Sequence, residues 1–235
     1  MKKLNLLVCF ALLCSATGLA QAQSFEVLNI IGYMYESDNT PGTPGFPPSD
    51  AGDVLAGIGF VDNISHPLTW STADYEYTWV IDGLVSMGQI DLGGGVIRVY
   101  YTGGTIDIIA DRYLDPGYTM PFYGVDPPDA GAIGSFSNGD AYLSGVFTQF
   151  VLTYNTTNFS GNYQGAVTFT LGTNYGELGD MLANPDGMAI AGLVGVGADS
   201  TIPEGYDCEA DGSIYYDPTI PNEDTTFSNL KNLYR

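Results

Sequence analysis

From residue 25 onward, apolar residues recur at alternate positions or in short continuous runs, separated by clusters of Gly, Pro, Asn and Asp. The stretch 74–84 alternates most cleanly. Tyr75, Tyr77, Trp79 and Ile81 fall on one face, and Glu76, Thr78, Val80 and Asp82 on the other. FEVLNIIGYMY at 25–35 and VLAGIGFV at 54–61 predict two further strands, the second with glycines that permit bending or close packing. Gly93-Gly94-Gly95 opens a predicted hairpin in which 96–101 and 105–110 flank a three-residue turn, Thr102-Gly103-Gly104. A second long hairpin is predicted from 141–154 and 163–171. The run MAIAGLVGV at 188–196 predicts a buried strand. Helical periodicity is confined to the tail, where Thr225 or Thr226 caps a short predicted helix with Phe227, Leu230 and Tyr234 on one face.

Strand after strand with short connections predicts an all-β fold: an antiparallel β-sandwich or closed β-barrel with a short C-terminal helix. Both architectures require the same alternation, so the pattern leaves the choice open. Long loops are expected at 36–53, where prolines stand at 41, 44, 47 and 48, and at 111–135. Residues 23–235 are read as one domain, since β domains often exceed 200 residues.

The first 22 residues carry an export signal in outline. Lys2 and Lys3 precede an apolar run from Leu4 to Leu13, and Ala20-Gln21-Ala22 offers a cleavage site. The run is too short for a membrane-spanning helix, which takes about 20 apolar residues. Leu13 before Cys14 departs from a lipidation signal. The expectation is an exported protein, bacterial in its signal type, that is periplasmic, cell-surface or extracellular. Cleavage leaves Cys208 as the one cysteine, which excludes an internal disulfide and predicts a buried thiol.

Charge narrows the partners. The chain carries a formal net charge of −21, and loss of Lys2 and Lys3 takes it to −23. Such a surface excludes nucleic acid and anionic membrane as expected partners, and it accounts for solubility by itself.

His66 is the only histidine, which leaves little for Ser-His-Asp, Cys-His or multi-histidine zinc chemistry. It sits before Pro67 in a predicted loop and reads as a solvated residue. Glu76 occupies the kind of strand position that carboxylate-based glycosidases use, and equally the kind that any solvated strand face uses. The sharpest motif is DCEADGSIYYDP at 207–218. Asp207, Glu209, Asp211 and Ser213 match positions 1, 3, 5 and 7 of a calcium loop, with Gly212 at the turn, which makes Ca2+ the candidate cofactor. Glu at the third position and Pro218 at the twelfth depart from that pattern, and an acidic turn is the plainer reading. The 111–135 loop carries Tyr113, Tyr118, Phe122 and Tyr123, candidate ligand-binding aromatics suited to a glycan or to another extracellular protein. Three Asn-x-Ser/Thr triplets, at 63, 155 and 158, read as chance matches in a bacterial export context.

Three functions are therefore expected in order: an exported non-enzymatic β-domain, structural or ligand-binding and calcium-stabilised if the 207–213 motif is real; an outer-membrane β-barrel; and a glycan-active enzyme using two carboxylates.

Overall fold

The computed structural model describes residues 24–37, 46–113, 134–184, 186–196, 202–203 and 205–216. The expected signal segment and C-terminal helix lie outside them. Eight strands run up and down in chain order: β1 (Phe25–Ser37), β2 (Ala51–Ile64), β3 (Tyr75–Gly93), β4 (Val96–Arg112), β5 (Asp140–Asn155), β6 (Ser160–Leu171), β7 (Met188–Gly195) and β8 (Cys208–Tyr216). All are antiparallel to their neighbours, and β8 pairs back onto β1, so the sheet closes into a barrel. This resolves the choice between sandwich and barrel. The Phe25 and Tyr216 rings sit 5.5 Å apart, so the chain enters and leaves the barrel at one rim.

Alternation decides the two faces. Tyr77, Trp79 and Ile81 of β3 join the inner core with Leu28, Ile30, Val99, Ile108, Leu152 and Ile190 from around the barrel. The interior is thus filled with apolar side chains. Glycine makes room for its largest rings. A Cβ on Gly57 would lie 3.0 Å from the Trp79 ring, and one on Gly59 would lie 2.6 Å from Trp79 Nε1. Across the barrel, Gly192 and Gly212 lie under the Tyr163 ring in the same manner, and Tyr163 and Phe150 stack at 5.6 Å. A smaller second cluster coats the outer wall of β1–β3, where Phe136 and Tyr206 cover Ile58 beside Tyr33 and Phe60.

Two expectations change. Residues 102–104 form no turn, because β4 continues through them to Arg112. Gly103 and Gly104 both take positive φ, 72° and 83°, beside Gly83 at 73°, within a β3–β4 ladder whose register is the same on either side of them. The reversal comes earlier, at Gly94-Gly95, between β3 and β4. Second, the segment read as a calcium loop or acidic turn is largely strand β8, which closes the barrel between β7 and β1.

Candidate functional site

The rim where Phe25 and Tyr216 meet also gathers the β2–β3, β4–β5 and β6–β7 connections. Between them lies a cavity of about 300 Å³, at the small end of the roughly 300–1,000 Å³ of small-molecule sites. Its aromatic lining comes from three places in the chain: Trp70 on the β2–β3 connection, Tyr75 and Tyr77 opening β3, and Tyr142 opening β5. Tyr77 is the hub. Its ring centroid lies 5.3 Å from Tyr142 at 81°, 6.1 Å from Trp70 at 57° and 6.2 Å from Tyr75 at 44°. Tyr77 and Tyr142 are buried, whereas Trp70 and Tyr75 are half-exposed.

The hydroxyls of the two buried tyrosines hold the connection in place. Tyr142 Oη donates to the Thr69 carbonyl at 2.6 Å, and Tyr77 Oη accepts from the Ser71 amide at 3.1 Å. A 3-10 helical segment after β6, Tyr175–Ala183, supplies Glu177, whose carboxylate accepts from the Thr69 amide at 2.6 Å. Ser71 Oγ donates to Asp74 at 2.8 Å and closes the turn into β3. The polar lining is completed by Asp140, which is exposed, and by Thr173 and Asn174, whose amides bond to the β5 backbone at Ala141 and Tyr142.

Burial raises the Tyr77 hydroxyl above its usual range, with Tyr75, Asp74 and Glu177 adding to the shift and the Ser71 amide opposing it. Burial likewise raises Tyr142, reinforced by Glu177 and Tyr77. On Glu177 itself, burial acts upward but is outweighed by hydrogen bonds from Asn174 and Thr69, and the net shift is downward. Glu177 therefore stays ionised at neutral pH, beside the Thr69 end of the pocket.

The barrel's other mouth is built differently. Glu36, at the end of β1, is 6% exposed. Ser49 Oγ donates to Glu36 Oε1 at 2.8 Å and lies 2.7 Å from Ser86 Oγ. Asp207 accepts the Glu36 amide at 2.8 Å, and Phe46 packs edge-on against Tyr154 at 5.0 Å. Burial pushes the Glu36 carboxyl up to about 7. Asp53 and Asp207 add to this, while the Ser49 hydrogen bond and the neighbouring Tyr101 hydroxyl oppose it. Asp207 is also raised, by burial first. The apolar core separates this acidic mouth from the aromatic pocket.

The residues singled out by motif are scattered. Along β8, Glu209, Asp211 and Ser213 share the outer face, while Asp207 faces the Glu36 amide at the rim. Ser213 Oγ is engaged by Glu26 at 2.8 Å and by Asn29 at 3.1 Å. Among the described residues, no three Asp, Glu, His or Cys side chains come together as a metal site. Glu76 lies on the outer wall directly across from Asp111 of β4, where Gly139 packs on the Ala110–Asp111 backbone. His66 is exposed on the β2–β3 connection. Of the four loop aromatics, Tyr113 follows β4 directly, and its amide donates to the Asp74 carbonyl at the pocket rim, at 3.1 Å. Tyr118, Phe122 and Tyr123 lie outside the described residues. Cys208 is buried in the core, and burial pushes its thiol up to about 12.

No protein-family model, curated protein or solved structure matches this chain.

Sequence reasoning missed Trp70, Tyr75, Tyr77 and Tyr142 as a group. Trp70 to Tyr77 are close in sequence, but Tyr142 joins them only through the β4–β5 register. The usable signal was the density of aromatics at one end of β3.

Proposed function

We propose that this protein is an exported, non-enzymatic β-barrel that binds a small ring-bearing ligand of the glycan class in the aromatic pocket. The observation that carries this reading is the pocket's composition: four aromatic rings, a hydroxyl and amide rim, and Asp140 as the one carboxylate among its described lining residues. Flat rings with polar neighbours hold sugar faces by apolar contact while the rim takes hydroxyl hydrogen bonds. Hydrolysis by two carboxylates needs a pair within about 5–9.5 Å around one bound sugar. Of the other carboxyls described above, Glu36, Asp53 and Asp111 lie at the other mouth or on the outer wall, and Asp74 and Glu177 are tied to the β2–β3 connection by Ser71 Oγ and the Thr69 amide. Export rests on the N-terminal signal pattern.

The apolar lumen and the carboxylates on the outer wall support this reading over a membrane barrel. Transmembrane barrels carry an outward apolar band and a polar lumen. Here the lumen is apolar, and Asp62, Asp82 and Asp211 are exposed on the outside.

The test is a glycan panel offered to residues 23–235, read by calorimetry and by tryptophan fluorescence. Saturable binding that disappears in Trp70→Ala, without turnover of any glycan, is the expected result. Turnover, or binding indifferent to Trp70→Ala, would overturn the proposal.

A further inference from the structure

The pocket's electrostatics point beyond a generic sugar. Resting on the reading of this cavity as the ligand site, we propose that its ligand is cationic: an amino sugar bearing a free ammonium group, held against the aromatic rings beside Asp140.

Four observations converge. The rings around Tyr77 are tilted at 44°, 57° and 81° to it. Tyr77 and Tyr142 are buried, and Trp70 and Tyr75 are the half-exposed rings that offer surface to the cavity. An aromatic face within about 6 Å attracts an ammonium through its quadrupole. Next, Asp140 brings an exposed carboxylate to the same lining, while the one described cation at this rim, Arg112, stands cross-strand from Tyr75 and outside the lining. Third, two more carboxylates stand behind the walls. Asp74 is held by Ser71 Oγ and Glu177 by the Thr69 amide, each next to a residue of the lining. Their negative field is felt at Tyr77 and Tyr142, both raised above the ordinary tyrosine range by burial and, in part, by these neighbours. Lastly, the net charge of −21 draws cations toward the molecule and repels uronates.

A neutral sugar meets only the rings and the hydroxyl rim. An ammonium sugar adds a cation–π contact and an ion pair with Asp140 in a half-desolvated space. Together these supply about tenfold in affinity.

Calorimetry on residues 23–235 with two tetrasaccharides decides the matter. One is a β-1,4-glucosamine tetramer at mildly acidic pH, where its amines are charged. The other is the fully N-acetylated tetramer of the same length. The expected result is about tenfold tighter binding of the free amine. That preference should shrink as salt rises and vanish in Asp140→Asn, whose unfolding midpoint should match the parent because residue 140 is exposed. Equal affinity for both tetramers, or an unchanged preference in Asp140→Asn, overturns the cationic inference and leaves the ligand-site reading standing. Binding of neither tetramer overturns the inference; the glycan panel and Trp70→Ala then judge the site itself.

Discussion

Trp79 Nε1 donates to the Ile31 carbonyl at 3.0 Å, across a wall that only glycine can form. A Cβ on Gly59 would stand 2.6 Å from that nitrogen, and one on Gly32 would stand 2.7 Å from the ring. The indole lies flat on the β1–β2 backbone because no side chain keeps it off. The hydrogen bond then fixes its orientation within an apolar core.

Gly59→Ala should accordingly be severe. The added methyl meets the Gly32 backbone as well as the indole, so relief requires the strands themselves to move. Overpacking of this kind costs about 1–3 kcal/mol, and in a domain of this size each kcal/mol lowers the melting temperature by about 2–4 °C. A calorimetric scan should show a drop of several degrees, whereas Gly94→Ala, in the open β3–β4 turn with φ 66°, should cost less. Equal losses would refute the ring-on-glycine account.

Glu36 makes stability depend on pH in a stated direction. Its carboxyl is raised from 4.5 to about 7 in the folded barrel. The folded state thus holds the proton more tightly than the unfolded chain. The contribution is fully present below about 4.5 and is lost as pH rises through about 7, a swing of up to about 3 kcal/mol. Asp207 is shifted the same way and adds to the slope. Urea midpoints from pH 4 to 9 should fall less steeply in Glu36→Gln than in the parent. Parallel curves would show that Glu36 does not carry the effect.

Cys208 should be inert in the native barrel. It is 3% exposed, with its thiol pushed up to about 12. At pH 8 fewer than about one in a thousand native thiols is ionised. A thiol-reactive dye should label it at the rate of global unfolding, and rapid labelling without denaturant would contradict the burial.

The course of β8 bears on calcium. Side chains on one face of a strand repeat about every 6.8 Å, whereas a calcium ion draws its oxygens to about 2.3–2.6 Å. Millimolar calcium is expected to leave the melting temperature where EDTA leaves it. A rise of several degrees, lost on replacing Asp207 and Asp211 with Ala, would show that the terminus of β8 rearranges around the ion.

The legible and illegible parts of the fold differ in kind. Strand β3 was legible because its inner positions are large, Tyr75 to Ile81, and its outer positions include Glu76 and Asp82. Strand β8 alternates just as strictly, but its inner positions begin Cys208, Ala210 and Gly212. Gly212 leaves room for the Tyr163 ring, which reaches it from β6 over Gly192 of β7. The hydrophobic signal of one strand had been moved onto another, and the acidic outer residues that remained resembled a metal loop. Gly103-Gly104 misled for a related reason, since adjacent glycines serve a continuous ladder as well as a turn. The pocket's aromatics were visible individually, yet their convergence on Tyr77 depends on the β3–β4 and β4–β5 pairing, which alternation alone does not encode.

The meeting of Phe25 and Tyr216 at the pocket's own rim has a practical corollary. A fusion or anchor joined directly at Phe25 or Tyr216 is delivered beside the ligand entrance. Attachment through the β3–β4 or β5–β6 hairpin tips, at the far rim, would turn that opening outward. The same adjacency suits the barrel to circular permutation, with a short bridge from Tyr216 to Phe25 and new ends placed at a far-rim hairpin.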